Sequence, residues 1–206
     1  MKQLTSRLNL ILSSAILLLA HTANAQAVPT ATEKYQLSAF GGGSGVFTGL
    51  LNGHNLSITA GIDFAFLSLH GFHPAAEVRG TYPVHSGTID GQKSVLGGLR
   101  VDRQFGFARP YVDFLVGRGE IDYQNGGFLI PPLTYLSTST LVYSPGVGMD
   151  LDISHHWAFK ADYQYQSWST PVVSSGTIHP SVVTLGAVYR FDFNHSYKRS
   201  HSSSAH

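Results

Sequence analysis

The amino-acid sequence predicts an all-β fold, an eight-stranded antiparallel up-and-down β-barrel that crosses a membrane. Eight segments alternate apolar and polar side chains over about ten residues, which suits tilted strands with one face in lipid. Their connections are alternately long and short. Charged residues make up 12% of the chain, whereas soluble domains contain roughly a quarter. The chain therefore lacks the charges that the outer face of a soluble barrel would need.

The N-terminal segment predicts export. Two basic residues near the start precede an apolar run between Leu8 and Ala20, and Ala23-Asn24-Ala25 then fits a small-residue cleavage site. The run is too short for an ordinary membrane-spanning helix. We expect residues 1–25 to be a signal peptide that is removed after export.

The rest of the chain divides into a lead-in, a barrel and a tail. We expect residues 26–33 to lead into a barrel over 34–193, and the polar, Ser/His-rich residues 194–206 to form a disordered periplasmic tail. The eight strands are predicted at 34–42, 56–67, 74–84, 93–103, 110–123, 140–153, 157–168 and 181–193.

The lengths of the connections predict an orientation. Long connections follow strands one, three, five and seven, at 43–55, 85–92, 124–139 and 169–180. Short ones follow strands two, four and six, at 68–73, 104–109 and 154–156. Membrane barrels of the bacterial outer membrane have short periplasmic turns and longer external loops. We therefore expect both termini in the periplasm and four longer loops outside, where an apolar stretch over 128–136 lies in the third loop.

The fifth segment departs from the simple alternation. In its first half, Val112, Phe114 and Val116 oppose Asp113. Further along, Arg118 and Glu120 place charges at the positions where that alternation predicts apolar side chains. We expect either a β-bulge here or an extension of the strand beyond the bilayer.

The charged side chains of the strands share the face opposite to the apolar one. Eight strands leave an interior just wide enough for side chains, so facing acids and bases would pair across it, and surplus acids would face water, share protons or bind a cation. In the alternative of a soluble exported binding barrel, the same charges would face solvent and the aromatic residues would line a ligand cavity. The predicted lumen charge network contains Asp63, Glu77, Arg79, Arg100, Asp102, Asp113, Asp150, Asp152, Lys160, Asp162 and Arg190.

The last strand carries a further pattern. Leu185, Ala187 and three aromatic residues share its apolar face, and only Val188 is out of step. Its end resembles the C-terminal signal by which the barrel-assembly machinery recognises membrane barrels. The residues of this predicted assembly signal are Thr184, Gly186, Tyr189, Phe191 and Phe193.

Four stretches carry a family resemblance: Gly97-Gly98-Leu99-Arg100-Val101, Arg109-Pro110-Tyr111-Val112, Ala161-Asp162-Tyr163-Gln164-Tyr165 and the segment from Gly186 to Phe193. Together they resemble the small outer-membrane β-barrel family, which includes OmpA-like transmembrane domains and opacity-type surface proteins. The resemblance covers residues 34–193. It implies an integral protein of the bacterial outer membrane with a structural or surface-interaction role. No peptidoglycan-binding domain follows the barrel, so we do not expect a wall-anchoring role.

The resemblance also implies partners. We expect contacts with outer-membrane lipid and lipopolysaccharide, recognition by the barrel-assembly machinery, binding of any surface ligand through the external loops, and a monomer. The net charge of +1 indicates no nucleic-acid partner. A small channel for ions or solutes is an alternative function, since inward glycines such as Gly146 and Gly148 could leave water-filled gaps.

Features that would carry catalysis are weak. The chain has no cysteine, and its 11 histidines are scattered through turns, loops and the tail. His179-Pro180-Ser181 has the spacing of barrel-type lipid A deacylases, but no carboxylate lies between it and Asp192. We therefore expect no enzyme, cofactor or metal site. Aromatic residues near strand ends, including Trp157 and Trp168, are predicted to form membrane-interface belts.

Overall fold

The computed structural model describes residues 35–51, 53–85, 90–130 and 133–191. The predicted signal peptide, the lead-in, the tail and Phe193 lie outside the described residues. These described residues form twelve strands: β1 Gln36–Phe47, β2 His54–Ala65, β3 Phe72–His85, β4 Asp90–Arg103, β5 Ala108–Tyr123, β6 Phe128–Ile130, β7 Leu133–Tyr135, β8 Ser137–Asp152, β9 Trp157–Tyr165, β10 Ser167–Ser169, β11 Thr177–Ile178 and β12 Ser181–Phe191.

Eight of these strands close into an antiparallel barrel, which confirms the predicted fold. Strands β1 to β5 pair in sequence order, and β8, β9 and β12 complete the circle. The barrel closes where β12 pairs with β1 from Phe191↔Leu37 to Ser181↔Phe47. The remaining strands are short: β6 and β7 form a hairpin in the third external connection, and β10 pairs with β11 in the fourth.

Two external connections are shorter than predicted because their strands are longer. The glycine-rich segment around Gly43 belongs to β1, where it pairs with Ile58 on β2 and Leu185 on β12. The first connection is therefore 48–53, and β4 begins at Asp90, so that the second is 86–89. The glycine content of this segment predicts a loop, but hydrogen bonds to the backbones of β2 and β12 hold it as part of a strand. The connections after β5 and β9 are the long ones.

The charges near the end of β5 do not mark a bulge. The ladder of β5 with β4 runs without a shift from Asp102↔Tyr111 to Asp90↔Tyr123, and the ladder with β8 is equally regular. The bulge interpretation is therefore wrong, and the strand extends with Arg118, Glu120 and Asp122 on its outer face. The one register shift recorded for β2 and β3 lies between Leu56 and Ser57.

The apolar face of the strands points outward. Large side chains such as Leu99 (62% exposed), Val112 (58%) and Ile58 (54%) lie on the outer surface of the barrel. This excludes the soluble alternative, in which the aromatic and aliphatic side chains would line an internal cavity. Lipid can cover such a belt without leaving backbone N–H and C=O groups unpaired, because these groups hydrogen-bond between the strands of the closed barrel. Among the described residues, no helix is long and apolar enough to span a bilayer.

Two residues depart from their predicted surroundings or explain an irregularity. The sequence predicts Trp168 in an interface belt, and this prediction is wrong, because Trp168 is buried inside the barrel with 1% of its surface exposed. Val188, which is out of step in β12, points inward and packs with Phe40 and Ala158. Of the predicted assembly signal, Thr184 is buried inside, whereas Phe191 lies on the outer face.

Candidate functional site: the barrel interior and its external end

The interior contains a charge cluster centred on Arg79. The guanidinium contacts Glu77 on its own strand, donates to Asp162 from Nη1 at 2.6 Å and lies 3.6 Å from Asp113. All four side chains are buried. The cluster joins β3, β5 and β9, which face one another across the barrel, so the strand tilt and not sequence proximity brings these residues together.

Neutral polar groups extend this cluster. The hydroxyl of Tyr111 donates to Asp162 at 2.8 Å. The Nε2 amide of Gln164 donates to both oxygens of Asp113 at 3.0 and 2.9 Å, and its Oε1 accepts from Ser144 at 2.7 Å. Asp113 and Asp162 are thus each held by a cation and by neutral hydrogen-bond donors, which is the condition for burying charge.

A second cluster is centred on Arg100. Its Nη1 donates to Asp63 at 3.1 Å and its Nη2 donates to Asp150 at 2.5 Å. Lys160 lies 3.8 Å from Asp150. The ammonium of Lys160 also lies 4.3 Å from the centre of the Phe40 ring and 4.4 Å from that of Tyr111. The negative faces of these rings supply part of the stabilisation that water would give to a buried cation.

The periplasmic end of the interior holds the rest of the predicted network. Arg190 donates to Asp152 at 2.6 Å, and Arg109 lies 3.4 Å from the same carboxylate. Asp102 pairs with His73 at 3.3 Å. The structure therefore places all eleven predicted charged residues inside the barrel, and only Asp152 among them is half-buried.

Sequence reasoning missed several partners of these charges. The sequence predicts Arg109 in a turn, because it predicts that the fifth strand begins at Pro110. Arg109 lies four residues before Asp113, and side chains at every second position of a strand share a face. Extending the alternation of β5 by one residue would therefore have placed Arg109 on the inner face. Tyr111 shares that face as well. His73 and Gln164 have no signal beyond strand parity, since polar residues at strand ends and on inner faces are common.

Inward glycines are covered by neighbouring side chains. A Cβ on Gly146 would lie 2.0 Å from Nε2 of Gln164, and one on Gly148 would lie 2.3 Å from the Tyr111 ring. The same holds for Gly61, which lies against the Phe40 ring. Large side chains therefore occupy the space above these glycines. The remaining inward glycines of the channel hypothesis are Gly98 and Gly186, where a Cβ would meet the backbone of the adjacent strand.

A row of hydroxyl groups crosses the interior on the side of β1. Ser44 pairs with Thr59 at 2.7 Å and with Thr184 at 2.8 Å, and Thr59 pairs with Thr81 at 2.9 Å. Four neighbouring strands, β12, β1, β2 and β3, each contribute one hydroxyl. Their mutual hydrogen bonds satisfy buried polar groups without a charge.

The external half of the interior contains a cluster of buried apolar side chains. We call this set of buried side chains the apolar cap. Loop residues Tyr135, Val172 and Val173 pack against it, so the two long loops are anchored to the barrel. Residues of the apolar cap are Leu50, Leu96, Leu115, Ile121, Tyr123, Val142, Trp168 and Ile178.

The residues of the deacylase-like spacing have other partners. Ser181 Oγ hydrogen-bonds the Tyr163 hydroxyl at 3.1 Å, and the His179 ring stacks on Tyr165 with centroids 5.5 Å apart. All four lie on outward positions of the strands or their ends. Among the described residues, no group of three or more histidine or acidic side chains could hold a metal ion.

Comparisons with known proteins agree with this architecture. The family model of the outer membrane protein beta-barrel domain matches residues 11–191. No curated protein sequence matches the chain. Among solved structures, Neisserial surface protein A is similar with a TM-score of 0.52 and 13% identity, covering 80% of this chain and 100% of that one. At this identity the likeness shows the fold alone.

Two other solved structures are similar at lower scores. The attachment invasion locus protein Ail of Yersinia pestis has a TM-score of 0.47 and 16% identity, covering 78% of this chain and 100% of that one. The N-terminal β-barrel domain of Pseudomonas aeruginosa OprF has a TM-score of 0.43 and 15% identity, covering 78% and 100%. Because the family model covers every strand of the closed barrel, the chain belongs to the outer membrane protein β-barrel domain family, and it is a protein of the bacterial outer membrane.

Proposed function

We propose that the protein is a sealed outer-membrane barrel with a structural role, whose binding activity resides in its external loops. The observation that carries this proposal is the filled interior. Two charge clusters occupy the periplasmic side and the apolar cap occupies the external side. The interior of an eight-stranded barrel is just wide enough for side chains to fill it. A filled interior leaves no continuous path for water or ions.

Electrical recording tests the sealed interior. We expect the purified full chain to give no steady conductance in planar lipid bilayers. A steady wild-type conductance that Gly146→Leu abolishes would overturn the proposal and favour the channel alternative, because the side chain at 146 points inward. The matched control is Gly43→Leu, which lies on the outer face with nothing within 4 Å of a Cβ and should leave any conductance unchanged.

The third loop is the first candidate for a binding surface. It is closed at its base by a hydrogen bond from the Tyr123 amide to the Leu136 carbonyl at 3.0 Å, and Tyr135 packs on the apolar cap. The side chains of Leu133, beyond this anchor, and of Leu136, at its base, are exposed. We propose that these exposed apolar side chains form part of a contact surface.

A deletion tests the loop. We expect removal of residues 126–136 to leave a folded barrel in the outer membrane but to reduce aggregation and surface attachment of the cells that display it. The control is His155→Ala in the periplasmic turn, which should change neither property. Unchanged aggregation and attachment after the deletion would argue against binding through this loop.

A further inference from the structure

Small side chains form a continuous row on the outer surface of the barrel. The hydrogen-bonded register places Ala187 on β12 beside Gly41 on β1, Gly41 beside Ala60 on β2, and Ala60 beside Gly80 on β3. All four occupy outward positions. The row continues through Val95 on β4 to Arg118 on β5.

The row rises toward the external surface as it crosses the strands. Gly41 lies five residues beyond Gln36, where β1 begins, whereas Arg118 lies ten residues beyond Ala108, where β5 begins. With a rise of about 3.4 Å per residue and a tilt of about 40°, Arg118 stands about 26 Å above that end. The apolar band of such barrels is about 25 Å tall, so Arg118 lies at the level of the external lipid headgroups.

The upper part of this row is a groove of about 530 Å³ on the lipid-facing surface. Ala60 and Gly80 form its floor, and Ile58, Tyr82 and Val95 stand beside them. We call it the external groove. A smooth apolar depression between larger apolar side chains is shaped to receive a hydrocarbon chain, which makes dispersion contacts on three sides there.

Basic groups stand at the upper end of the external groove. Lys93 and Arg118 both line it, together with Glu120. The ammonium of Lys93 already forms ion pairs, since it lies 3.4 Å from Glu120 and 3.1 Å from Asp122. Arg118 is exposed and forms no ion pair within the described part of the chain. Arg118 is thus the cation with donors left for an anion, and its planar guanidinium matches phosphate oxygens.

We propose that the external groove binds one phosphorylated glycolipid of the external leaflet, of the lipid A type. One acyl chain lies over Gly80 and Ala60, and the phosphate accepts hydrogen bonds from Arg118. The inference rests on the membrane orientation of the barrel. It does not depend on whether the interior conducts or on what the loops bind, so its failure is separable from theirs.

Native mass spectrometry of the full chain in detergent with added diphosphorylated lipid A tests this site. We expect the wild type to retain one lipid A. Arg118→Gln should weaken retention by about tenfold or more, as expected for loss of a charge-assisted hydrogen bond. Gly80→Leu should weaken it similarly because the side chain fills the groove, and Gly80→Ala should have a smaller effect; a Cβ there meets only Ser94 O at 3.8 Å.

Matched variants separate this site from general affinity for lipid. Arg103→Gln removes an exposed arginine near the periplasmic end, and Gly45→Leu fills an open outward glycine away from the groove. Both should retain lipid A as the wild type does. Equal losses in these controls, equal retention of dephosphorylated lipid A or of phosphatidylglycerol, or a second copy of the chain in place of the lipid would overturn the proposal.

Discussion

The guanidinium of Arg79 shows what a single residue does in this interior. It is buried among Glu77, Asp113 and Asp162. Such a cluster adds little stability over an apolar packing of the same volume, because desolvation offsets the attraction between the charges. Removing one member is different, since the remaining charges are then left buried without a partner. We propose that the cluster therefore favours one arrangement of the facing strands.

Replacement of Arg79 tests this argument. We expect Arg79→Met to lower the free energy of unfolding by about 3–5 kcal/mol, because three carboxylates lose their shared cation. The measurement is urea unfolding of the barrel in lipid vesicles. Arg103→Met, which removes an exposed arginine beside Phe72 and Phe105, should lower it by about 1 kcal/mol or less. Equal losses would show that the cluster has no special role.

Gly148 tests the tight packing of the interior. A Cβ there would lie 2.3 Å from the Tyr111 ring and 2.7 Å from the Ala161 carbonyl oxygen. We expect Gly148→Val to lower the free energy of unfolding by about 1–3 kcal/mol, as overpacking does. Gly43→Val, on the open outer face, is the control and should be neutral or stabilising in the same assay. An unperturbed Gly148→Val protein would mean that the interior has free space there.

At the scale of elements, β5 links the two halves of the interior. Its inward positions change from Arg109, Tyr111 and Asp113 near the periplasm to Leu115 and Ile121 near the external end. Its outward positions change in the opposite sense, from apolar side chains near the periplasm to the charged side chains of Arg118, Glu120 and Asp122 near the external end. The strand thus leaves the bilayer at its external end, where an apolar interior and a charged exterior resemble a soluble protein.

Trp168 is the test of this external element. Its ring lies against Gly119, where a Cβ would be 2.3 Å away, and it belongs to the apolar cap. We expect Trp168→Ala to lower the free energy of unfolding by about 3–5 kcal/mol, since a large buried ring leaves a cavity. Trp157→Ala, on the outer face with 51% exposure, should have a smaller effect. A larger loss for Trp157→Ala than for Trp168→Ala would show that the apolar cap does not contribute to the stability of the barrel.

At the scale of the whole molecule, closure of the barrel determines whether an edge strand is left to pair with another chain. The pairing of β12 with β1 closes the circle of eight strands, so among the described residues no strand stands at a free edge of the barrel, and we propose that it exists as a monomer. Closure also requires that the last strand be placed correctly. We propose that the barrel-assembly machinery reads the end of this strand, from Thr184 through Phe191 to Phe193.

Truncation tests that proposal. We expect a chain that ends at Phe193 to assemble into the outer membrane faster than the full-length chain, because the terminal aromatic is then no longer followed by 194–206. The measurement is the rate at which the folded form appears in membrane fractions of cells that make each chain. The control is Phe193→Ala in the truncated chain, which should slow assembly. Equal rates for the two lengths would show that the tail does not hinder recognition.

Strand number, strand faces and the identity of the inward charges followed from the sequence, because alternation is a local property of each strand. Asp162, for example, is assigned to the inner face because its neighbours Ala161 and Tyr163 belong to the apolar face of the strand. The pairing partners did not follow. Arg79 and Asp162 are 83 residues apart, and their contact depends on the tilt and register of all the strands between them. Arg109 and Trp168 were misplaced for a related reason, since strand ends are set by neighbouring strands.

By itself, the sequence determined that this chain forms eight amphipathic strands with an apolar outer face, and hence a membrane barrel. Periodicity and composition carry that information, because lipid selects apolar residues at every second position. Only the tertiary structure decided that the charges divide between Arg79 and Arg100, that an apolar cap closes the external end, and that small outward residues line up in an oblique groove. Each of these depends on the shared register of strands around a closed barrel, which no single segment encodes.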